Sequence, residues 1–264
     1  MFSRKKSVPA AVALLLFFCS CTILEDRSGC PCILRLDLSD SSNSIYDTLM
    51  VSVRSEDGFL MNALVGREDY GKELLVKIPT REGVRVNVLQ KEAMEYYSDP
   101  DASGLRIPPG TECPETYMYS DFCPTWAEES TDTVRLSKNY CGVSLKFVSN
   151  VADKFATTIV GNVCGYELDG NPAEGEFRYD PAFDEESASF FRLPRQSDSS
   201  LRLQITSADG STRSFALGNY IIESGYDWSA PQLDDIVVMV DYVSTSVSIT
   251  VNDWNIMEYF DVVI

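Results

Sequence analysis

From Cys32 onward the chain places apolar residues at every second position, and no stretch carries a convincing amphipathic helix longer than three turns. Leu34, Leu36 and Leu38 alternate with Arg35 and Asp37, and Leu49, Val51 and Val53 with Met50, Ser52 and Arg54. Val84, Val86 and Val88 alternate with Arg85 and Asn87. Side chains of a strand point alternately to its two faces, so this spacing describes strands buried on one side only. Segments 74–78, 133–137, 142–149, 156–163, 201–207, 213–217, 236–243 and 246–252 read the same way, separated by turn-forming Ser, Gly, Asp and Pro. Residues 90–97 fit either a short helix or a strand continuation. The clearest hairpin runs from Ile236 to Trp254, with its turn near Ser244 and Thr245. Many short strands joined by turns predict an all-β fold of antiparallel sandwiches.

At 264 residues the strand count exceeds what one small sandwich holds. Two tandem sandwiches are expected, at about 29–130 and 131–264, divided within a polar connector that includes Glu128, Glu129, Ser130 and Thr131. Gly165 to Ser200 reads as a long, acidic, Pro-containing irregular stretch, either a functional loop or a decorated crossover.

Lys and Arg number 22 against 40 Asp and Glu, a net charge of −18. Such a surface repels phosphate backbones, which argues against nucleic acid as a partner. Histidine is absent, and with it Ser-His-Asp and Cys-His chemistry and His-ligated zinc. The expectation is a binding or structural protein, not an enzyme, with no cofactor.

The N-terminus looks like an export signal. Arg4, Lys5 and Lys6 precede an apolar run from Val8 to Phe18, too short for a membrane-spanning helix of about 20 residues. Ser20 then precedes Cys21, as in a lipoprotein signal whose cysteine is acylated; Cys19 follows bulky Phe18 and is the poorer cleavage site. Residues 1–20 are read as the signal peptide, Cys21 as the lipidation site and 21–28 as a tether. Removing 1–20 takes away three basic residues and no acidic one, moving the charge from −18 to −21. The acyl chains, worth about 0.8 kcal/mol per buried methylene, would hold the body at a membrane despite its charge. Thr22 after the cysteine, with Glu25 and Asp26 beyond, points to the outer membrane and surface exposure.

Six of the eight cysteines remain after Cys19 and Cys21, and an exported chain with an even number invites disulfides. Cys113 and Cys123 flank one loop and can staple it; Cys141 and Cys164 fit a bridge or two buried thiols equally. Cys30-Pro31-Cys32 is too tightly spaced to close on itself. Asp99 to Gly104 resembles the opening of a calcium loop, but its twelfth position is Gly110 where a bidentate Glu is needed, so a solvated turn is the better reading. Asp184-Glu185-Glu186 and Asp234-Asp235 are read as solvated clusters in preference to a glycosidase pair. Trp126, Trp228 and Trp254 with Tyr96, Tyr97, Tyr117 and Tyr119 are candidates for a sugar-stacking platform. Ile256 to Ile264 reads as a closing strand, or as one exchanged with a partner subunit.

Cys21, then Glu25 to Pro31, then an alternating strand resembles the start of the FimB-like fimbrial anchoring lipoproteins of Bacteroidales. The Asp235–Tyr242 and Val247–Trp254 hairpin is similar to that family's ending. The resemblance implies two transthyretin-like, Greek-key sandwich domains, a lipid anchor at Cys21 in the outer membrane, and a basal subunit that ties a pilus to the cell, limits its length and meets pilin by strand addition. The alternative is a surface lipoprotein that binds glycan or host protein through exposed aromatics and loops.

Overall fold

The computed structural model describes residues 29–43, 46–56, 58–79, 81–94, 104–148, 155–167, 170–242, 246–251 and 254–261. In its first half the chain forms β1 (Cys32–Asp37), β2 (Thr48–Ser55), β3 (Leu60–Gly66), β4 (Glu73–Ile78) and β5 (Gly83–Gln90). One helical turn, α1 (Lys91–Met94), resolves the ambiguity after Gln90. Then come β6 (Leu105–Arg106), β7 (Tyr117–Pro124), β8 (Glu129–Thr133) and β9 (Ser137–Lys138). The second half contains β10 (Tyr140–Phe147), β11 (Phe155–Tyr166), β12 (Pro172–Tyr179), β13 (Ala188–Pro194), β14 (Arg202–Ser207) and β15 (Thr212–Phe215). It ends with α2 (Leu217–Glu223), β16 (Ile236–Asp241), β17 (Ser246–Val251) and β18 (Trp254–Asp261).

The fold is all-β, in two lobes. Sheets β4-β1-β8 and β3-β2-β5-β7-β9 face each other across one apolar cluster that includes Leu34, Leu36, Leu49, Val51, Val76, Val86 and Val88. Sheets β13-β10-β16-β17-β18 and β12-β11-β14-β15 enclose another, with Val143, Leu145, Ile159, Phe177, Phe191, Leu203 and Val238. The alternating positions of β1, β2 and β5 are the buried ones, as their spacing requires.

The two lobes repeat one strand plan. The order β4-β1-β8 matches β13-β10-β16, and β3-β2-β5-β7 matches β12-β11-β14-β15. Both share a departure from strict antiparallel pairing: β1 runs parallel to β8, and β10 parallel to β16. The plans diverge past these parallel strands. In the second lobe β17 and β18 continue the sheet, whereas β8 is the outermost described strand of its own.

Two sequence expectations change. Gly165 to Ser200 holds two strands, β12 and β13, in place of an irregular stretch. In β12 Ala173, Gly175 and Phe177 occupy the less exposed alternate positions, but the small residues Ala173 and Gly175 leave that face without a clear apolar signal; β11 also slips register against it twice between Gly161 and Tyr166. In β13 the hydropathy is inverted, since Ser189 is buried and Phe190 exposed. The second change concerns the connector. Glu129 to Thr133 all pair with β1, and Val134 is buried in the first cluster, so strand structure replaces a polar link at 130/131.

The lobes interlock through the chain between α1 and β7. Leu105 and Arg106 pair with Tyr166 and Gly165 of β11, and the Ile107 amide donates to the Cys164 carbonyl at 2.7 Å. Arg106 Nη1 reaches the Tyr166 carbonyl at 2.9 Å and its Nη2 the Glu167 carboxylate at 2.8 Å. Gly104 and Gly165 have φ of +120° and +145°, and a Cβ on either would overlap a backbone carbonyl of the opposite strand. Only glycine permits so close an approach.

Candidate interaction surfaces

Strand β3 is an outer strand whose far edge no described residue pairs. The Ser55 amide donates to the Phe59 carbonyl, and the Arg67 amide to the Asp47 carbonyl. Antiparallel alternation then turns the backbone groups of Phe59, Met61, Ala63 and Val65 toward β2, and those of Leu60, Asn62 and Leu64 toward the open edge. The side chains of these last three are exposed, Leu60 at 56% and Leu64 at 62%. Leu60 also borders a groove of about 230 Å³ in which Met50, Leu89, Leu105 and Met118 are interspersed with Ser52, Arg54, Asn87 and Glu167. Unpaired edges with apolar side chains are ready templates for another strand.

The residues singled out in the sequence are dispersed. Cys21, Tyr96, Tyr97 and Asp99 to Ser103 lie outside the described residues, as does the end of the C-terminal segment at 262–264. The segment's earlier part forms β18, paired antiparallel with β17 and outermost among the described strands of its sheet. Trp126 is 66% exposed, whereas Trp228 is buried against Tyr226, ring centroids 4.7 Å apart. Tyr117 packs with Tyr46 and Tyr140, and Tyr119 turns its hydroxyl to Asp132. These aromatics form no common platform. Asp184 caps its own turn by accepting the amides of Glu186 and Ala188, and Asp235 pairs with Lys138 at 2.5 Å and accepts the Gly142 amide. Both clusters therefore include structural carboxylates. Among the described residues no group of His, Cys, Asp or Glu could hold a metal ion, and no helix is long and apolar enough to cross a membrane.

All six cysteines after Cys21 are free thiols. Cys113 lies in the second lobe's cluster and Cys123 in the first lobe's, so the expected staple between them is not formed. The loop between them does not bring the ends together because Cys113 is drawn to β13, its amide donating to the Arg192 carbonyl and its carbonyl accepting from Arg192 Nε. Burial pushes the Cys141 thiol up to about 12 and raises that of Cys123 as well.

A feature invisible in the sequence is a cleft of about 740 Å³ where the lobes meet. Its walls come from β7, the Ser137–Asn139 stretch, the Gly170–Pro172 turn, Arg195–Ser197 and the Ile222–Pro231 segment. Arg195 is half-buried. Its Nε donates to Asn139 Oδ1 at 2.5 Å, and its Nη1 to the carbonyls of Trp228 and Ala230. Burial lowers its pKa, and no described carboxylate stands within ion-pair distance. Nη2 bonds to none of the described residues. Across the cleft Asp227 accepts the Ser229 amide and hydroxyl at 2.8 and 2.6 Å, which hold its carboxyl below the ordinary range. Three cleft residues carry buried atoms with no partner: the hydroxyl of Ser120, the acceptor Gln196 Oε1 and the donor Trp228 Nε1.

No family model matches the chain, and no curated protein matches it in sequence. Solved structures share its fold. The fimbrial anchor protein Mfa2 of Porphyromonas gingivalis superposes with a TM-score of 0.62 at 14% identity, over 87% of this chain and 100% of that one. A Bacteroides thetaiotaomicron protein proposed to bind polysaccharide gives 0.61 at 13%, over 88% and 98%. A proposed adhesin of Bacteroides thetaiotaomicron gives 0.54 at 17%, over 86% and 96%.

Proposed function

We propose that this chain is the anchor of a fimbrium: a non-enzymatic lipoprotein of the FimB-like kind, held in the outer membrane by acyl chains on Cys21, that docks a pilin subunit by strand addition at the cell surface. The observation that carries the reading is the open edge of β3, where Leu60, Asn62 and Leu64 offer backbone groups and exposed side chains beside a groove of mixed polar and apolar lining. Two all-β lobes, a net charge of −21 after removal of residues 1–20, and a fold shared over 87% of the chain with a fimbrial anchor protein agree with it. An acidic body would rest on its lipid, not on attraction to anionic headgroups.

Cys21→Ala in the producing cell tests the reading. Fimbriae should be shed or lengthened while the protein still folds. Fimbriae of normal length, firmly attached, would sink it.

A second reading is surface saccharide binding. The cleft between the lobes favours it, because it pairs a polar lining that includes Arg195 and Asp227 with buried donors and acceptors that have no partner. The solved neighbour proposed to bind polysaccharide has the same fold.

A further inference from the structure

We infer that the cleft between the lobes is a binding site for a neutral saccharide, recognised by Arg195 and Asp227 with Gln196 and Trp228; the inference rests on the second reading above and is independent of the anchor role. A cleft of about 740 Å³ falls within the range of small-molecule sites, about 300–1,000 Å³. Several of its polar groups are unmatched. Gln196 is 3% exposed, its Nε2 fixed to the Pro194 carbonyl at 2.7 Å, and its Oε1 has no partner. Trp228 is similarly buried with its indole N–H unused. Each such group costs about 1–3 kcal/mol when left unmade.

The charges define the ligand class. Arg195 and Asp227 are the charged residues among the cleft's described walls, one of each sign, so the site as a whole favours neither an anion nor a cation. Arg195 is clamped on three of its N–H groups and presents Nη2, and Asp227 is oriented by Ser229. At its surface the site supplies a donor in Arg195 and an acceptor in Asp227, and behind them lie the buried, unpartnered donor Trp228 Nε1 and acceptor Gln196 Oε1. A hydroxyl group donates and accepts at once, so a polyhydroxylated ring satisfies both kinds. The apolar wall is modest: Ile222 is exposed at the rim, with Met118, Pro172 and Pro231 around it. Such a wall suits the C–H face of a sugar. A peptide strand fits less well, because the described strand β12 enters the cleft with Pro172, which has no N–H to give a ladder.

The test uses the full chain in detergent on an array of neutral oligosaccharides ending in glucose, galactose, mannose or fucose, together with sialylated counterparts. The best neutral binder is then titrated by tryptophan fluorescence. At least one neutral glycan should bind with a millimolar or tighter constant. Ser197→Trp, which fills the cleft from an exposed position, and Asp227→Ala should each weaken it about tenfold or more. Ile222→Arg, also exposed, provides a third blocking variant should either of the others fold poorly by circular dichroism, and Leu64→Lys on the distant β3 edge should leave binding unchanged. A glycan that binds the three cleft variants as well as the parent overturns the cleft assignment and leaves the second reading standing. Binding of sialylated glycans alone overturns the neutral class. No binding across the array overturns both the inference and the second reading.

Discussion

Cys123 donates its Sγ–H to Asp132 Oδ2 at 2.9 Å, tying β7 to β8, the strand that closes the first lobe's smaller sheet. The same carboxylate oxygen accepts the Tyr119 hydroxyl, and Oδ1 takes the Thr133 amide at 2.9 Å. One side chain therefore satisfies donors from both facing sheets. Asp132→Ala leaves a buried thiol and a half-buried phenol without their acceptor, and should cost about 1–3 kcal/mol. A urea melt should show a lowered midpoint with unchanged slope; an unshifted midpoint would mean that water replaces the carboxylate.

Gly165→Ala should be more damaging than an average surface change, because φ of +145° disfavours any Cβ and the added carbon meets the Leu105 carbonyl. A loss of about 1–3 kcal/mol is expected from such backbone strain. Amide exchange localises it: protection of Ile107, whose N–H bonds the Cys164 carbonyl, should fall before that of β10 or β14.

Stability should decline on both sides of neutrality, for different reasons. Asp37, Asp198, Asp209 and Asp227 have carboxyls held below the ordinary range, for all but Asp198 chiefly by hydrogen bonds from the serine two residues on; Asp198 is lowered by Ser200 and Asn162 against the opposing effect of its burial. Their contribution is complete above the unfolded carboxyl pKa of about 3.9 and is lost as pH falls through the lower native values. At the alkaline end the sign reverses. Cys141, at about 12, stays protonated when folded but ionises above about 8.5 when unfolded, so stability should fall from there upward. Thermal midpoints between pH 2 and 10 check both limbs; a flat profile above pH 8.5 would contradict the burial of that thiol.

Iodoacetamide at pH 8 on the native protein should modify Cys30 ahead of Cys32, Cys113, Cys123, Cys141 and Cys164, since only Cys30 is not buried. Peptide mass spectrometry before and after adding urea should show the other five reacting on unfolding alone.

Asn62→Pro separates edge function from stability. Proline at a position whose N–H faces the open edge removes no ladder bond inside the sheet. The melt should shift little while pilin capture weakens. Capture at full strength would place the docking site elsewhere.

The period-two spacing made β1, β2, β5, β14 and β16 legible in advance, because their apolar positions line one buried face and hydropathy reports that face directly. It failed where burial and polarity part company. In β13 Ser189 points inward and Phe190 outward, and in β3 Leu60, Met61, Leu64 and Val65 are apolar on both faces, so neither strand shows an alternation. The open edge of β3 followed from the same ambiguity, since its exposed leucines look like core. The cleft was beyond the reach of any local pattern: Asn139, Arg195 and Asp227 stand far apart in sequence and meet because β10 pairs with β13, which sets Asn139 beside Arg195, and the chain after α2 lays Trp228 and Ala230 on the Arg195 guanidinium. Among the described aromatics named as a sugar platform, Trp228 alone lines that cleft, and its indole nitrogen is buried without a partner.

The shared strand plan leaves the two lobes unequal at one place. Beside β16 the place is filled by β17 and β18 from the same chain, while the matching place beside β8 holds no described strand. The second lobe thus displays, within one molecule, the paired form of an edge that no described strand of the first lobe covers. A strand added beside β8 would rebuild in the first lobe the pairing that the second lobe already makes with itself.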